Sequence, residues 1–260
     1  MIEMHEKINL LGVRISKASP SEVLREIEAS IRSGDRLTIS FVNPHTMNLV
    51  MRNTQLRDDL NSLDLVCADG IGVVWASRFL GVSLKERVSA DILGPGLFKL
   101  ASSRGFKVYL LGARPGIVDK TADNLRKVFP MLEIAGSYHG YFAKEENDSV
   151  VKRVNESAAD IVLVGLGASL QERWIVENAD KVRASVLITC GGYFDQMAQR
   201  VHYYPSWAYR YRLNWLYRLL REPTRLWERY FIELPYFAWW VIKTRFHTSG
   251  ARASAEGCKD

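Results

Sequence analysis

"ADIVLVGLGASLQERW", residues 159–174, carries the reading of the fold. Its unbroken apolar run fits a strand buried on both faces, as in a parallel sheet, rather than a half-exposed strand of alternating polarity. The run ends in Gly165, Leu166 and Gly167, and a helical pattern opens directly after them. Five further stretches repeat the strand pattern: "LTISFVN" at 37–43, "LDLVCA" at 63–68, "FKVYLLG" at 106–112, "LEIAGSY" at 132–138 and "ASVLITCGG" at 184–192. Amphipathic segments separate them. In "SPSEVLREIEASIRSG", Ser19 or Ser21 can cap a helix and Gly34 can stop it. Strands alternating with helices predict an α/β, Rossmann-like, mostly parallel sheet with helices on both faces.

With 260 residues, 47% of them apolar, the chain can bury a full core, which excludes a disordered class. After Gly192 the β signal stops. Between Arg200 and Arg245 nine Lys and Arg stand against three Glu, so the whole +6 excess falls there, with five of seven Trp and seven of eleven Tyr. Basic charge mixed with aromatic rings marks membrane interfaces and nucleic-acid surfaces. The expected organisation is a catalytic domain over 1–195, a basic aromatic helical appendage over 196–246 and a frayed tail over 247–260. Within the appendage two helices are expected, parted near Pro223. Its apolar part, "FIELPYFAWWVI", falls short of the roughly 20 residues needed to cross a bilayer, so it is expected to lie on a membrane. The N-terminal "MIEMHEKINLLGVRI" lacks the apolar stretch of a signal peptide, which places the protein in the cytoplasm as an expectation. Cys67, Cys190 and Cys258 share no metal-binding spacing and read as single thiols.

In doubly wound sheets ligands sit beyond the C-terminal strand ends, which directs attention to Asn43, Asp69, Gly112, Gly165 with Gly167, and Asp195. Asp69, in "VCADGIGVVW", is placed to cap the following helix, whose dipole would lower its pKa, or to act as a general base. Gly70 and Gly72 admit a close neighbour, backbone or ligand. "GARPG" (112–116) and "GLGAS" (165–169) open helices whose free amides can hold phosphate oxygens, yet neither completes a dinucleotide fingerprint. With no D-x-D triplet, arginines would neutralise a diphosphate instead of a bound metal. Arg218, Arg221, Arg225 and Arg229 share one face if the helices run on continuously. His45, His139 and His202 lack ligand spacing and read as structural or surface residues.

Five blocks, "VNPHTMN", "ADGIGVVWASRFLG" followed by "ERVSAD", "GLGASLQERW", "GGYFDQMA" and "WLYRLLREPTRLWERY", together resemble the WecG/TagA/CpsF family, glycosyltransferase family 26. That resemblance implies an inverting, metal-independent and cofactor-free transferase at the cytoplasmic membrane face. It would move a sugar from a UDP donor to a polyprenyl-diphosphate-linked sugar in exopolysaccharide or envelope assembly. By the same resemblance Asp69 is the base, Asn43, Arg87 and Gln171 bind substrate, and Arg218 and Arg225 complete the site. Nucleic acid is not an expected partner, and homo-oligomer formation is left open. The chain departs from the family pattern at Phe41 for Thr, "SLQE" for "PKQE", "RVSA" for "RVTG" and "YYP" for "RAP". These changes remove polar contacts around the inferred pockets and bring UDP-glucose beside UDP-N-acetylmannosamine as a donor. A nicotinamide-dependent oxidoreductase and a non-catalytic membrane-surface adaptor are the rival readings.

Overall fold

The computed structural model describes residues 5–256 apart from 85 and 212. An antiparallel hairpin of β1 (Lys7–Leu10) and β2 (Val13–Ser16) comes first, followed by α1 (Pro20–Ser33), which Ser19 caps and Gly34 ends. The hairpin is a feature that the sequence reading missed, because its apolar residues lie among charges. Then come β3 (Leu37–Val42), α2 (Pro44–Val50), α3 (Thr54–Ser62), β4 (Leu65–Ala68), α4 (Ile71–Phe79) and α5 (Ala90–Arg104). The second half has β5 (Lys107–Gly112), α6 (Ile117–Val128), β6 (Glu133–Tyr138), α7 (Asn147–Glu156), β7 (Ile161–Gly165), α8 (Leu170–Asn178), β8 (Val186–Thr189) and α9 (Tyr193–Gln199). Strands β3 to β8 form one parallel sheet in the order β4-β3-β8-β7-β5-β6.

Side chains alternate between two cores, one on each face of that sheet. From β7, Ile161 and Leu163 join Phe98, Val118 and Phe194, whereas Val162 and Val164 join Met47, Leu60 and Ile175 on the opposite side. This double burial is the physical reason the strands read as unbroken apolar runs. Cys67 and Cys190 are buried free thiols, and burial pushes the Cys67 thiol up to about 12; Cys258 lies outside the described residues.

The C-terminal helices are α10 (Ser206–Arg210), α11 (Asn214–Arg221), α12 (Pro223–Glu228) and α13 (Leu234–Glu256), with a π-helical turn over Arg229–Glu233. Phe237 and Val241 of α13 join the core cluster that holds Met47, Val73 and Val74, so this segment packs into the sheet domain. Helix α13 runs to Glu256 through "ARASAE", a run rich in helix formers, and residues 257–260 lie outside the described residues. One expectation is corrected. The arginine face is not continuous, because Glu222 adopts φ −131 and ψ 56 and breaks the helix ahead of Pro223. Arg218 turns inward beside Glu222, while the Arg221 guanidinium sits 5.5 Å above the Tyr217 ring. Among the described residues no helix is long and apolar enough to cross a membrane.

Candidate active site

All six parallel strands end on the same side, and Asp69 lies one residue past β4. Its backbone N–H donates to Val42 O at 2.8 Å, which continues the β3–β4 ladder and holds the residue at the sheet edge. Gly70 follows with φ 92 and ψ 145, a conformation open only to glycine, and this turns the chain into α4. The capping expectation for Asp69 is overturned: Gly70 occupies the cap position of α4 and no side chain closes that helix end. Asn43 is the residue that caps, its Oδ1 accepting from Thr46 N at 3.0 Å and Thr46 Oγ1 at 3.3 Å. The neighbouring glycines serve the backbone and the packing. A Cβ on Gly72 would come within 3.1 Å of Pro44 and 3.6 Å of Leu234.

Around Asp69 the structure gathers charge from three separate stretches of chain. Arg87, in the loop before α5, places Nε 3.8 Å from Asp69 Oδ1, and the Asn43 side chain hydrogen-bonds the same carboxyl. Arg87 is held chiefly by Asp91: its Nη2 donates to Asp91 Oδ1 at 2.8 Å and Oδ2 at 2.9 Å, and to Ser89 Oγ at 3.0 Å. Ser89 stands before α5 but does not cap it, since its hydroxyl donates to Asp91 Oδ1 at 2.5 Å. From α11, Asn214 Nδ2 reaches Asp91 Oδ2 at 3.4 Å, and Arg218 acts electrostatically on Asp69 and on the buried Tyr204. The buried Arg218 Nε lacks a hydrogen bond, its neighbouring carboxylate oxygen being Glu222 Oε1 at 3.8 Å.

Burial pushes the Asp69 carboxyl above the ordinary carboxylate range, and Asp91 adds to that push, while Arg87, Arg218 and Asn43 oppose it. The helix-dipole expectation of a lowered pKa is therefore corrected, because the cost of desolvating the carboxylate exceeds the pull of every opposing charge. About a third of the side chain, 32%, remains open to the site. Burial alone would lower Arg87 and Arg218, but the carboxylates and tyrosines around them outweigh it and both stay above the usual arginine value.

Toward the other half of the sheet, Gly112 and Gly165 lie side by side in the β5–β7 register. A Cβ on Gly112 would strike the Gly165 backbone, and one on Gly165 would come 2.7 Å from the Phe194 ring, so strand packing accounts for both glycines. Gly167 differs, with φ 91 and open space where its Cβ would be. Ala113 (φ 56) and Ser169 (φ 75), in the turns after Gly112 and Gly167, occupy left-handed backbone that costs a non-glycine residue of order 1 kcal/mol or more. Gln171 is buried: its Nε2 donates to Glu172 Oε1 at 2.8 Å and its Oε1 accepts from Gly191 N at 3.0 Å. Glu172 in turn accepts from Ser40 Oγ at 2.9 Å and Ser169 N at 2.8 Å. Thus Gln171 ties the turn after β8 to α8. Arg225 lies in α12, but its side chain is outside the described residues.

At the positions that depart from the family pattern, Ser89 sets its hydroxyl on Arg87, Tyr203 donates to Glu222 Oε1 at 3.3 Å, Tyr204 is buried, and Phe41 is buried in the core. Sequence reasoning also passed over Asp91, although its i,i+4 spacing from Arg87 was a readable signal. His45, read as structural or surface, has its Nδ1 2.6 Å from Glu233 Oε2 and joins the start of α2 to the π-helical turn. Among the described residues no three His, Cys, Asp or Glu side chains are grouped to hold a metal ion.

A profile of the Glycosyl transferase WecG/TagA/CpsF family matches residues 8–251. An N-acetylglucosaminyldiphosphoundecaprenol N-acetyl-beta-D-mannosaminyltransferase of Bacillus spizizenii is 32% identical over 77% of this chain and 77% of its own length. A UDP-Gal:alpha-D-GlcNAc-diphosphoundecaprenol beta-1,4-galactosyltransferase of Shigella boydii is 30% identical over 76% of this chain and 83% of its own. A Staphylococcus aureus protein described in the same words as the first is 28% identical over 85% and 87%.

Proposed function

The chain belongs to the WecG/TagA/CpsF family of glycosyltransferases, and from that premise we propose that it transfers a sugar from a UDP donor to a polyprenyl-diphosphate-linked sugar in envelope or exopolysaccharide assembly. The observation that carries the reading is the partly open Asp69 carboxyl beside two arginines, Arg87 and Arg218, from separate elements. In this reading Asp69 accepts the proton of the acceptor hydroxyl while that oxygen forms its bond to the anomeric carbon. The bond to the UDP oxygen breaks on the opposite face, so configuration inverts. Charge develops on the leaving diphosphate, where Arg87 and the incompletely bonded Arg218 lower the barrier without a metal. Asn43 orients a substrate hydroxyl, Gln171 holds the Gly191 turn, and Gly167 leaves room for the donor. The acceptor chemistry is that of the relatives, whose names specify a GlcNAc-diphosphoundecaprenol. Donors of both N-acetylmannosamine and galactose type occur among them, which keeps a plain hexose such as glucose beside N-acetylmannosamine for this chain.

The test is a panel of UDP-sugars with a short-chain polyprenyl-diphosphate-GlcNAc acceptor, reading UDP release and product anomer. One donor is expected to give an inverted product, and Asp69→Asn to cut turnover by at least about 10²-fold. UDP release with none of the donors, or a D69N turnover within about threefold of wild type, sinks the mechanism.

A further inference from the structure

We propose that Asp91 is a positioning residue that draws the Arg87 guanidinium away from Asp69 and so keeps the Asp69 carboxylate open to the acceptor hydroxyl. The inference rests on the transferase reading. Two carboxylates flank one arginine, and they do not share it equally. Asp91 takes two contacts from Arg87 Nη2 at 2.8 and 2.9 Å, whereas Arg87 Nε stands 3.8 Å from Asp69, beyond hydrogen-bond reach. Asp91 is fixed for this task. Ser89 Oγ and Asn214 Nδ2 also donate to it, and only 11% of its side chain is exposed. With donors on both oxygens it is poorly placed to receive a substrate proton. Asp69, 32% exposed, is the carboxylate left for that work. Asn214 belongs to α11, so the C-terminal helices reach the base through Asp91 as well as through Arg218.

Without the Asp91 charge, Asp69 is the remaining carboxylate within 4 Å of Arg87 among the described residues, and Arg87 would close onto it. A charge-assisted bond there would hold the base in place and weaken it. The groups that act on Asp69 are Arg87 and Asp91 at the start of α5, Arg218 from α11 and Asn43 before α2, while Asp69 in turn raises Tyr204 and Tyr230 of the C-terminal segment. Of the two carboxylates, Asp91 opposes the arginines. Removing it must therefore make Asp69 easier to deprotonate.

The experiment is the pH dependence of kcat for full-length wild type, Asp91→Asn and Asp91→Glu, with the donor that wild type uses. For D91N the plateau is expected to fall about tenfold or more and the acid limb to move about one pH unit lower. D91E, which keeps the charge, is expected to hold the limb at its wild-type position. A general loosening of the fold would lower the plateau and leave the limb in place, and that result overturns the proposal. Should D91N fail to fold, Asp91→Ser removes the same charge in a smaller side chain; a limb displaced in the same direction supports the proposal and an unmoved limb overturns it. Absence of wild-type turnover with every donor overturns the transferase reading and the inference with it, whereas an unmoved limb in an active enzyme overturns the inference alone.

Discussion

Asp69 is a carboxyl whose site raises its pKa by burial, with Asp91 adding to the effect. For activity the sign is direct: a general base works deprotonated, so the acid limb of kcat is expected above the ordinary aspartate value of about 3.9. A limb at or below that value would contradict the role. For stability the same shift acts in the opposite sense. A carboxyl whose folded pKa exceeds its unfolded one favours folding most while protonated, and that contribution is lost as pH rises through the folded value. Wild type is therefore expected to lose melting temperature relative to Asp69→Asn as pH rises from the unfolded pKa through the folded one, and parallel curves would refute the assignment. The stretch "VCADGIGVVW" made Asp69 legible as a residue at a strand end, but its capping role and lowered pKa were misread. Both errors have one cause: desolvation and distant charges depend on which segments fold over the residue, and local sequence does not encode that.

At the scale of elements, periodicity was a sound guide wherever packing is periodic. Six strand runs and the Ser19 and Gly34 ends of α1 stand where the pattern placed them, because buried faces and caps are local devices. The Arg218–Arg229 face failed, since a one-residue break at Glu222 turns α12 away from the axis of α11. Pro235, which lacks an N–H, comes just after the π-helical turn over Arg229–Glu233 and accounts for the irregularity there. Docking of α13 is held by Phe237 and Val241 in the core, by Asn48 Nδ2 donating to Glu233 O at 2.7 Å, and by the His45–Glu233 pair. Phe237→Ala is expected to cost about 3–5 kcal/mol in denaturant unfolding. A loss under about 1 kcal/mol would mean that α13 is not part of the cooperative core.

Across the whole molecule, the exposed aromatic surface joins both parts of the chain. Trp239, Ile242 and Phe246 lie on the face of α13 away from the core, and α4, packed beside it, exposes Trp75 (63%) and Phe79 (50%). Lys243 sits 5.0 Å from the Trp239 ring, which brings cationic charge to the same face. On the proposal that this face meets an anionic bilayer, Trp75→Ala with Phe79→Ala is expected to weaken vesicle binding about tenfold, since each 1.4 kcal/mol lost is a factor of ten. Cosedimentation with vesicles of mixed anionic and neutral lipid checks this, and unchanged binding would restrict the contact to the C-terminal helices.

Sequence alone determined the class of the fold, the strand ends at which chemistry is sought and the concentration of charge and aromatic rings after residue 200. Each of these is written in short stretches, as apolar runs, glycine turns and composition. Only the tertiary structure decided that Asn43 and not Asp69 caps a helix, that Gly112 and Gly165 serve strand packing, and that Arg87 is held by Asp91. It also decided that the C-terminal helices enter the core, set Asn214 on Asp91 and bring the charge of Arg218 to bear on Asp69. The physical reason is common to all of these. Burial, pairing and close approach are set by residues that stand far apart in the chain, and it must fold before they meet.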